Sequence, residues 1–150
     1  MKLEIFTDGG CSGNPGPASI GVVFKDGGKT IKTLSKAIGN ATNNIAEYTA
    51  MIYALQEALI LKADELLIKT DSELMYKQII GDYKVKHDGI KPLFEQVMHL
   101  RSGFKSVTFQ HVPREQNTEA DALARQALKA SQDGRPDANG VGEESPSSKG

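Results

Sequence analysis

A chain of 150 residues with 39% apolar and 25% charged residues has the size and composition of one soluble domain, with room for a single sizeable core and none for a second. No apolar run nears the roughly 18–20 residues that cross a bilayer, and the start MKLEIFTD carries no charged-then-hydrophobic leader, so a cytoplasmic protein with no membrane partner is expected. The lone Cys11 excludes an internal disulfide, no CxxC or HExxH spacing offers zinc a site, and any metal is therefore expected on oxygen ligands.

Met1–Thr7 alternates Leu3, Ile5 and Thr7 against Lys2, Glu4 and Phe6, the period of a half-buried strand. The segment FTDGGCSGNPGP then places Asp8 at the head of a Gly-rich turn. Ile20–Lys25 and Thr30–Ser35 predict two further strands joined by the turn Asp26-Gly27-Gly28, which makes the first three strands an antiparallel meander. Residues 44–61 set Tyr48, Met51, Ile52, Leu55 and Leu59 at helical spacing, with Asn44 and Glu47 as a capping pair. Glu65–Thr70 reads as a short buried strand, and Asp71-Ser72 opens a helix over Glu73–Ile80 that Gly81 ends. Lys91–Arg101 is helical with Pro92 in its first turn, Ser106–His111 is a last strand, and Asn117 caps a helix reaching Ala130. Residues 131–150 are rich in Gly, Ser, Pro and Asp and read as a disordered tail behind a domain of residues 1–130.

The order βββαβααβα implies an α/β protein: a five-stranded mixed sheet, three strands antiparallel and then two parallel, flanked by helices. If the strands ending at Thr7 and Thr70 lie parallel and adjacent, Asp8 and Asp71 emerge from one sheet edge, where open α/β sheets place their sites. The formal charge of −1 argues against a polyanion partner. The last twenty residues, however, hold four acids and two bases, leaving 16 bases against 15 acids in residues 1–130.

Four acids have ordinary explanations one at a time. Asp8 starts a turn, Glu47 suits a capping box, Asp71 suits a helix N-cap, and Asp121 suits a solvated helix face. Asp121 nevertheless borders the apolar stripe Ala120, Leu123, Ala124, Ala127, Leu128, as Glu47 borders its own helix's stripe, so both point toward the sheet edge. Carboxylates converging in a partly dry site repel unless cations fill the space. Oxygen ligands alone select Mg²⁺ or Mn²⁺, and two such ions together form a phosphodiester-cleaving site.

Four blocks in order, TDGGCSGNPGPASIG (7–21), TNNIAEYTAMIYAL (42–55), LLIKTDSELMYKQI (66–79) and HVPREQNTEADALARQAL (111–128), resemble type 1 ribonuclease H across residues 1–130. The resemblance implies a ribonuclease H-like fold, a monomer, and endonucleolytic cleavage of the RNA strand of RNA/DNA hybrids to 3′-hydroxyl and 5′-phosphate ends. It assigns Asp8, Glu47, Asp71 and Asp121 to two metal ions, Asp8 bridging both. Gly9, Gly10 and Cys11 would let the backbone approach the RNA minor groove. Asn14, Asn43 and Asn44 would contact the hybrid, Asn14 with Thr42 would receive a DNA-strand phosphate, and Ser72 would add a polar contact.

Two features depart from the bacterial pattern. The Gly-His loop before the last acid is replaced by HVPREQN, so Arg114 resembles the auxiliary arginine of the archaeal-type branch, with His111 the alternative. The basic, Trp-bearing helix of many bacterial members is absent: GDYKVKHDGIK is short and the chain has no Trp. Two other functions remain open on the sequence: cleavage of double-stranded RNA, and hybrid binding with weak catalysis.

Overall fold

The computed structural model describes residues 1–132. Its five strands, β1 (Lys2–Cys11), β2 (Gly16–Asp26), β3 (Lys29–Ala41), β4 (Glu65–Thr70) and β5 (Ser106–His111), form one sheet in the order β3-β2-β1-β4-β5. The helices are α1 (Asn43–Ile60), α2 (Glu73–Ile79), α3 (Lys91–Arg101) and α4 (Thr118–Gln132), with a 3₁₀ turn at Arg114–Gln116. β1 pairs antiparallel with β2 and β2 with β3, while β1 with β4 and β4 with β5 are parallel, as the element order implies. The tail assigned to residues 131–150 lies outside the described residues, except that residues 131 and 132 form the end of α4. No described helix is long and apolar enough to cross a membrane.

The first strand is longer than its alternation pattern implies. Parallel pairing with β4 stops at Thr7↔Thr70, but β1 continues through Asp8, Gly9, Gly10 and Cys11, which pair with Gly21, Ile20, Ser19 and Ala18 of β2. Glycine inside a strand marks a place where another backbone comes close. A Cβ on Gly9 would run into the Ala46 carbonyl of α1, so Gly9 has a packing role that a reading as turn or substrate wall does not supply. The turn proper is confined to residues 12–15, between β1 and β2. The hairpin from β2 to β3 turns at Gly27 and Gly28, with φ of 60° and 85°, values that only glycine adopts freely.

The expected capping pair is not formed. Thr42 is the N-cap of α1, its side chain accepting from the Ile45 N–H at 3.2 Å, and Asn44 lies within the helix. Glu47 is thereby released to reach across to β1. Ser72, not Asp71, caps α2, accepting from Met75 N–H at 3.2 Å. Asp71 stands free of the helix, between β4 and α2.

The two sheet faces divide by strand alternation. Leu3, Ile5, Ile20, Val22, Phe24, Leu66 and Ile68 pack with Tyr48, Met51 and Leu55 of α1 in the main core. On the other face α4 lies close upon β2 and β3. Gly21 leaves the room for it, since a Cβ there would collide with the Ala120 carbonyl. Two buried hydroxyls then fix α4 against the strands: Ser19 Oγ donates to the Ala124 carbonyl, and Ser35 Oγ to the Leu123 carbonyl at 2.7 Å. Gly21→Ala is expected to lower unfolding free energy by ~1–3 kcal/mol through overpacking, read as a lower urea midpoint at unchanged m.

Candidate active site

Each of the four acids is delivered by a different element to the same end of the sheet. Asp8 follows the last β1 residue paired with β4, and Asp71 follows the last residue of β4. Two parallel strands in register therefore release their next residues side by side. Glu47 projects from the first turns of α1, held by a hydrogen bond from the Gly9 N–H to its Oε1 at 3.1 Å. Carboxylate oxygens of Asp8, Glu47 and Asp71 lie within 4.8 Å of one another. Asp121, in the first turn of α4, faces Asp8 closely enough to add to the repulsion on its charge.

Asp8 is buried at 8% exposure. Burial, and then the neighbouring charges of Asp71 and Asp121, push its carboxyl up to about 8. Burial, and then Asp8 and Asp71, likewise raise Glu47 well above the usual carboxylate range, against the opposing pull of the Gly9 N–H and Arg114. A set of crowded oxygen donors that takes up protons in place of positive charge fits a divalent metal cation.

The acids open onto a cavity of about 510 Å³ lined in part by Gly10, Cys11, Asn43, Asn44, Ser72 and Arg114. Asn14 and Thr42 are not part of its wall. They act behind it: Asn14 Oδ1 accepts from the Asn43 N–H at 3.0 Å, while Thr42 is committed to the α1 cap. Asn43 Oδ1 in turn accepts from the Cys11 N–H and from its Sγ, both at 3.2 Å. These bonds tie the loop after β1 to the start of α1. A Cβ on Gly10 would meet only Asn43 Oδ1 at 4.0 Å, so at Gly10 the missing side chain opens toward the cavity. His111 is outside the wall and stacks on Tyr76 with ring centroids 5.9 Å apart.

Two residues of the site escape the sequence reading. Arg125 lines the cavity and grips Asp121 Oδ2 through Nε at 3.1 Å and a terminal nitrogen at 3.0 Å. The i,i+4 spacing of an acid and a base on one helix is the available signal. Asn117, expected only as a helix cap, donates through Nδ2 to the Thr7 carbonyl at 2.8 Å and to Asp71 Oδ2 at 3.2 Å. No local pattern announces those contacts, which join residues 110 and 46 positions apart.

A mixed sheet in this order, with acids after its two central parallel strands and on its first and last helices, defines the ribonuclease H-like class of α/β folds. Residues 6–127 match the family model described as reverse transcriptase-like. A Pelobacter propionicus protein named ribonuclease H is 32% identical over 141 residues, covering 84% of each chain. The chain belongs to this ribonuclease H family. A bifunctional protein of Mycobacterium tuberculosis is 44% identical over the whole chain, which spans only 43% of that protein. Among solved structures, RNase H1 of the halophilic archaeon Halobacterium salinarum superposes with a TM-score of 0.84 at 37% identity, over 86% of this chain and 98% of that one. LC11-RNase H1, solved in complex with an RNA/DNA hybrid, gives 0.83 at 40%, over 87% and 99%.

The raised acids set a pH dependence in metal-free protein. Asp8 and Glu47 hold protons in the folded state above the pH at which they lose them on unfolding, so unfolding releases protons and stability falls as pH rises. In EDTA the melting temperature is expected to fall from about pH 4 up to about pH 8, where Asp8 ionises. Saturating Mn²⁺ should flatten that decline and stabilise most at the alkaline end, as scanning calorimetry at each pH would show.

Proposed function

We propose that this chain is a ribonuclease H that cleaves the RNA strand of RNA/DNA hybrids endonucleolytically, leaving 3′-hydroxyl and 5′-phosphate ends. The observation that carries the reading is the convergence of Asp8, Glu47 and Asp71 oxygens within 4.8 Å at the floor of an open polar cavity. The hybrid found with LC11-RNase H1 supports the choice of substrate. Asp8, between Glu47 and Asp71 on one side and Asp121 on the other, is suited to serve both metal positions. Two Mg²⁺ or Mn²⁺ ions, when bound, supply an activated water and stabilise the leaving oxygen.

The remaining work falls to the chain itself. Gly10 and Cys11 form a low wall over which a sugar-phosphate backbone can approach, where 2′-hydroxyls distinguish RNA from DNA. Asn43, Asn44 and Ser72 offer polar contacts along the same wall, and Asn14 with Thr42, behind it, would receive a DNA-strand phosphate. Gly9 contributes through its N–H to Glu47. Arg114, whose charge already acts on Asp8 and Glu47, is suited to hold a scissile or departing phosphate.

Labelled RNA/DNA, RNA/RNA and DNA/DNA duplexes, each incubated with Mg²⁺, Mn²⁺ or EDTA, test the reading. Cleavage of the RNA strand of the hybrid alone, abolished by EDTA and reduced by at least ~10²–10³-fold in Asp8→Asn and Asp71→Asn, is expected. Cleavage in EDTA or an unchanged variant would refute it, and preferential RNA/RNA cleavage would move the substrate to double-stranded RNA.

Between α2 and α3 the chain carries no helix, Lys84 and Lys86 are the lysines of that stretch, and Lys91, the first residue of α3, lies 3.7 Å from Asp88. Fewer neutralised phosphates release fewer counterions. Hybrid affinity is expected to be weaker, and its salt dependence shallower, than for a ribonuclease H with a basic helix there. Matched binding titrations over a range of salt giving equal slopes would count against this.

A further inference from the structure

Asn117 directly precedes α4, where an Asn ordinarily turns its side-chain oxygen back to accept from the first helical N–H groups. Here the amide serves the other way. Its Nδ2 donates to the Thr7 carbonyl and to Asp71 Oδ2, at 2.8 and 3.2 Å, and its Oδ1 is buried with no hydrogen-bond partner. The residue is only 1% exposed. An unsatisfied buried oxygen is costly, so the orientation is held by what the nitrogen gains. Both of its acceptors are oxygens, and a flipped amide would set oxygen against oxygen at each.

The contacts join three segments. Thr7 immediately precedes Asp8, Asp71 is itself one of the acids, and Asn117 lies one turn before Asp121 on the way into α4. Ser, Thr or Asp at this position would cap a helix as well as Asn does. None of them can donate two hydrogen bonds to a carbonyl and a carboxylate at once.

We propose that Asn117 is a positioning residue for the metal site: its amide fixes the rotation of the Asp71 carboxylate and seats the Asp121 end of α4 against the end of β1. The Asp71 carboxylate then meets the cation already oriented, without first giving up its own rotational freedom. The inference rests on the metal reading of the four acids, and extends it to a group that touches neither cation nor substrate. Groups that orient metal ligands typically change metal affinity or activity by about 10–100-fold when removed.

The test compares the full chain with Asn117→Ser, which suits a helix N-terminus as well as Asn does and removes the amide donors. Mn²⁺ binding is measured by titration calorimetry, beside the Mn²⁺ concentration for half-maximal hybrid cleavage and the KM for hybrid at saturating Mn²⁺. We expect Mn²⁺ affinity to fall about 10–100-fold, the half-maximal concentration to rise in step, and KM to stay within about twofold. In an Asp71→Asn background the same substitution should change Mn²⁺ affinity by less than about twofold, because the group it acts through is gone. Unchanged Mn²⁺ affinity in a folded Asn117→Ser protein, or an equal loss in both backgrounds, would overturn the role. Should Asn117→Ser not melt cooperatively, Asn117→Thr takes its place in both backgrounds, where the same loss is expected and the same two results would overturn the role. A wild-type chain that binds no Mn²⁺ would instead overturn the metal reading itself, and the role of Asn117 with it.

Discussion

Repulsion among carboxylates in a space that water only partly reaches is the constraint around which this molecule is arranged. Asp8, Glu47 and Asp71 stand within 4.8 Å of one another, and no packing of apolar groups would choose that arrangement. It persists because the elements carrying the acids are fixed by contacts made elsewhere. Parallel pairing of β1 with β4 sets Asp8 beside Asp71, and the main core built on Tyr48, Met51 and Leu55 holds α1, and so Glu47, against the same strands. The core thus supplies the free energy that the site withholds, a common relation between scaffold and strained functional groups.

Bringing the fourth acid to the group is a separate problem, because α4 lies on the opposite face of the sheet from α1. Its solution is close approach. Gly21 removes a Cβ from the α4 interface, and Ser19 and Ser35 donate to carbonyls one turn below Asp121. Small buried residues on α4, Ala120, Ala124 and Ala127, complete a contact in which backbone meets backbone. A helix seated this way has little freedom to slide, so the position of Asp121 follows from the sheet. Arg125 then neutralises part of its charge from the solvent side.

Periodicity is enough to read the strands, the helices and a sheet antiparallel on one side and parallel on the other. The rule that parallel neighbours end at one edge then sets Asp8 beside Asp71, and it is the resemblance that gathers the four acids into one set. What escapes is what local pattern does not encode. The alternation of β1 breaks at Thr7 because Asp8-Gly9-Gly10 has the composition of a turn, whereas pairing with β2 and the approach of Ala46 keep the strand extended. Asn44 and Glu47 have the spacing of a capping box, yet Thr42 already caps α1 and the Gly9 N–H claims the Glu47 carboxylate. Asn117 reads as a cap because caps are local, while its actual partners, Thr7 and Asp71, come from the other half of the fold. Long-range hydrogen bonds of buried polar groups are the part of a site least visible in sequence.

The charge of the cavity carries a further consequence. Its wall holds the four acids Asp8, Glu47, Asp71 and Asp121 against two arginines, Arg114 and Arg125, and Arg125 is already engaged with Asp121. With Asp8 and Glu47 protonated in the metal-free site, the two arginines leave this wall close to neutral, so an approaching nucleic-acid backbone finds no attraction there. The wall of Gly10, Cys11, Asn43 and Asn44 removes steric obstacles without adding charge. Only cations that displace the protons from the acids make the surface positive. In the proposed function metal and phosphodiester therefore bind cooperatively: each phosphate that settles over the acids raises the affinity for cation, and each cation that enters raises the affinity for phosphate, by the same coupling free energy. Arg114 adds to this coupling from the side of the phosphate, because its positive charge remains directed at the acids until an anionic ligand competes for it.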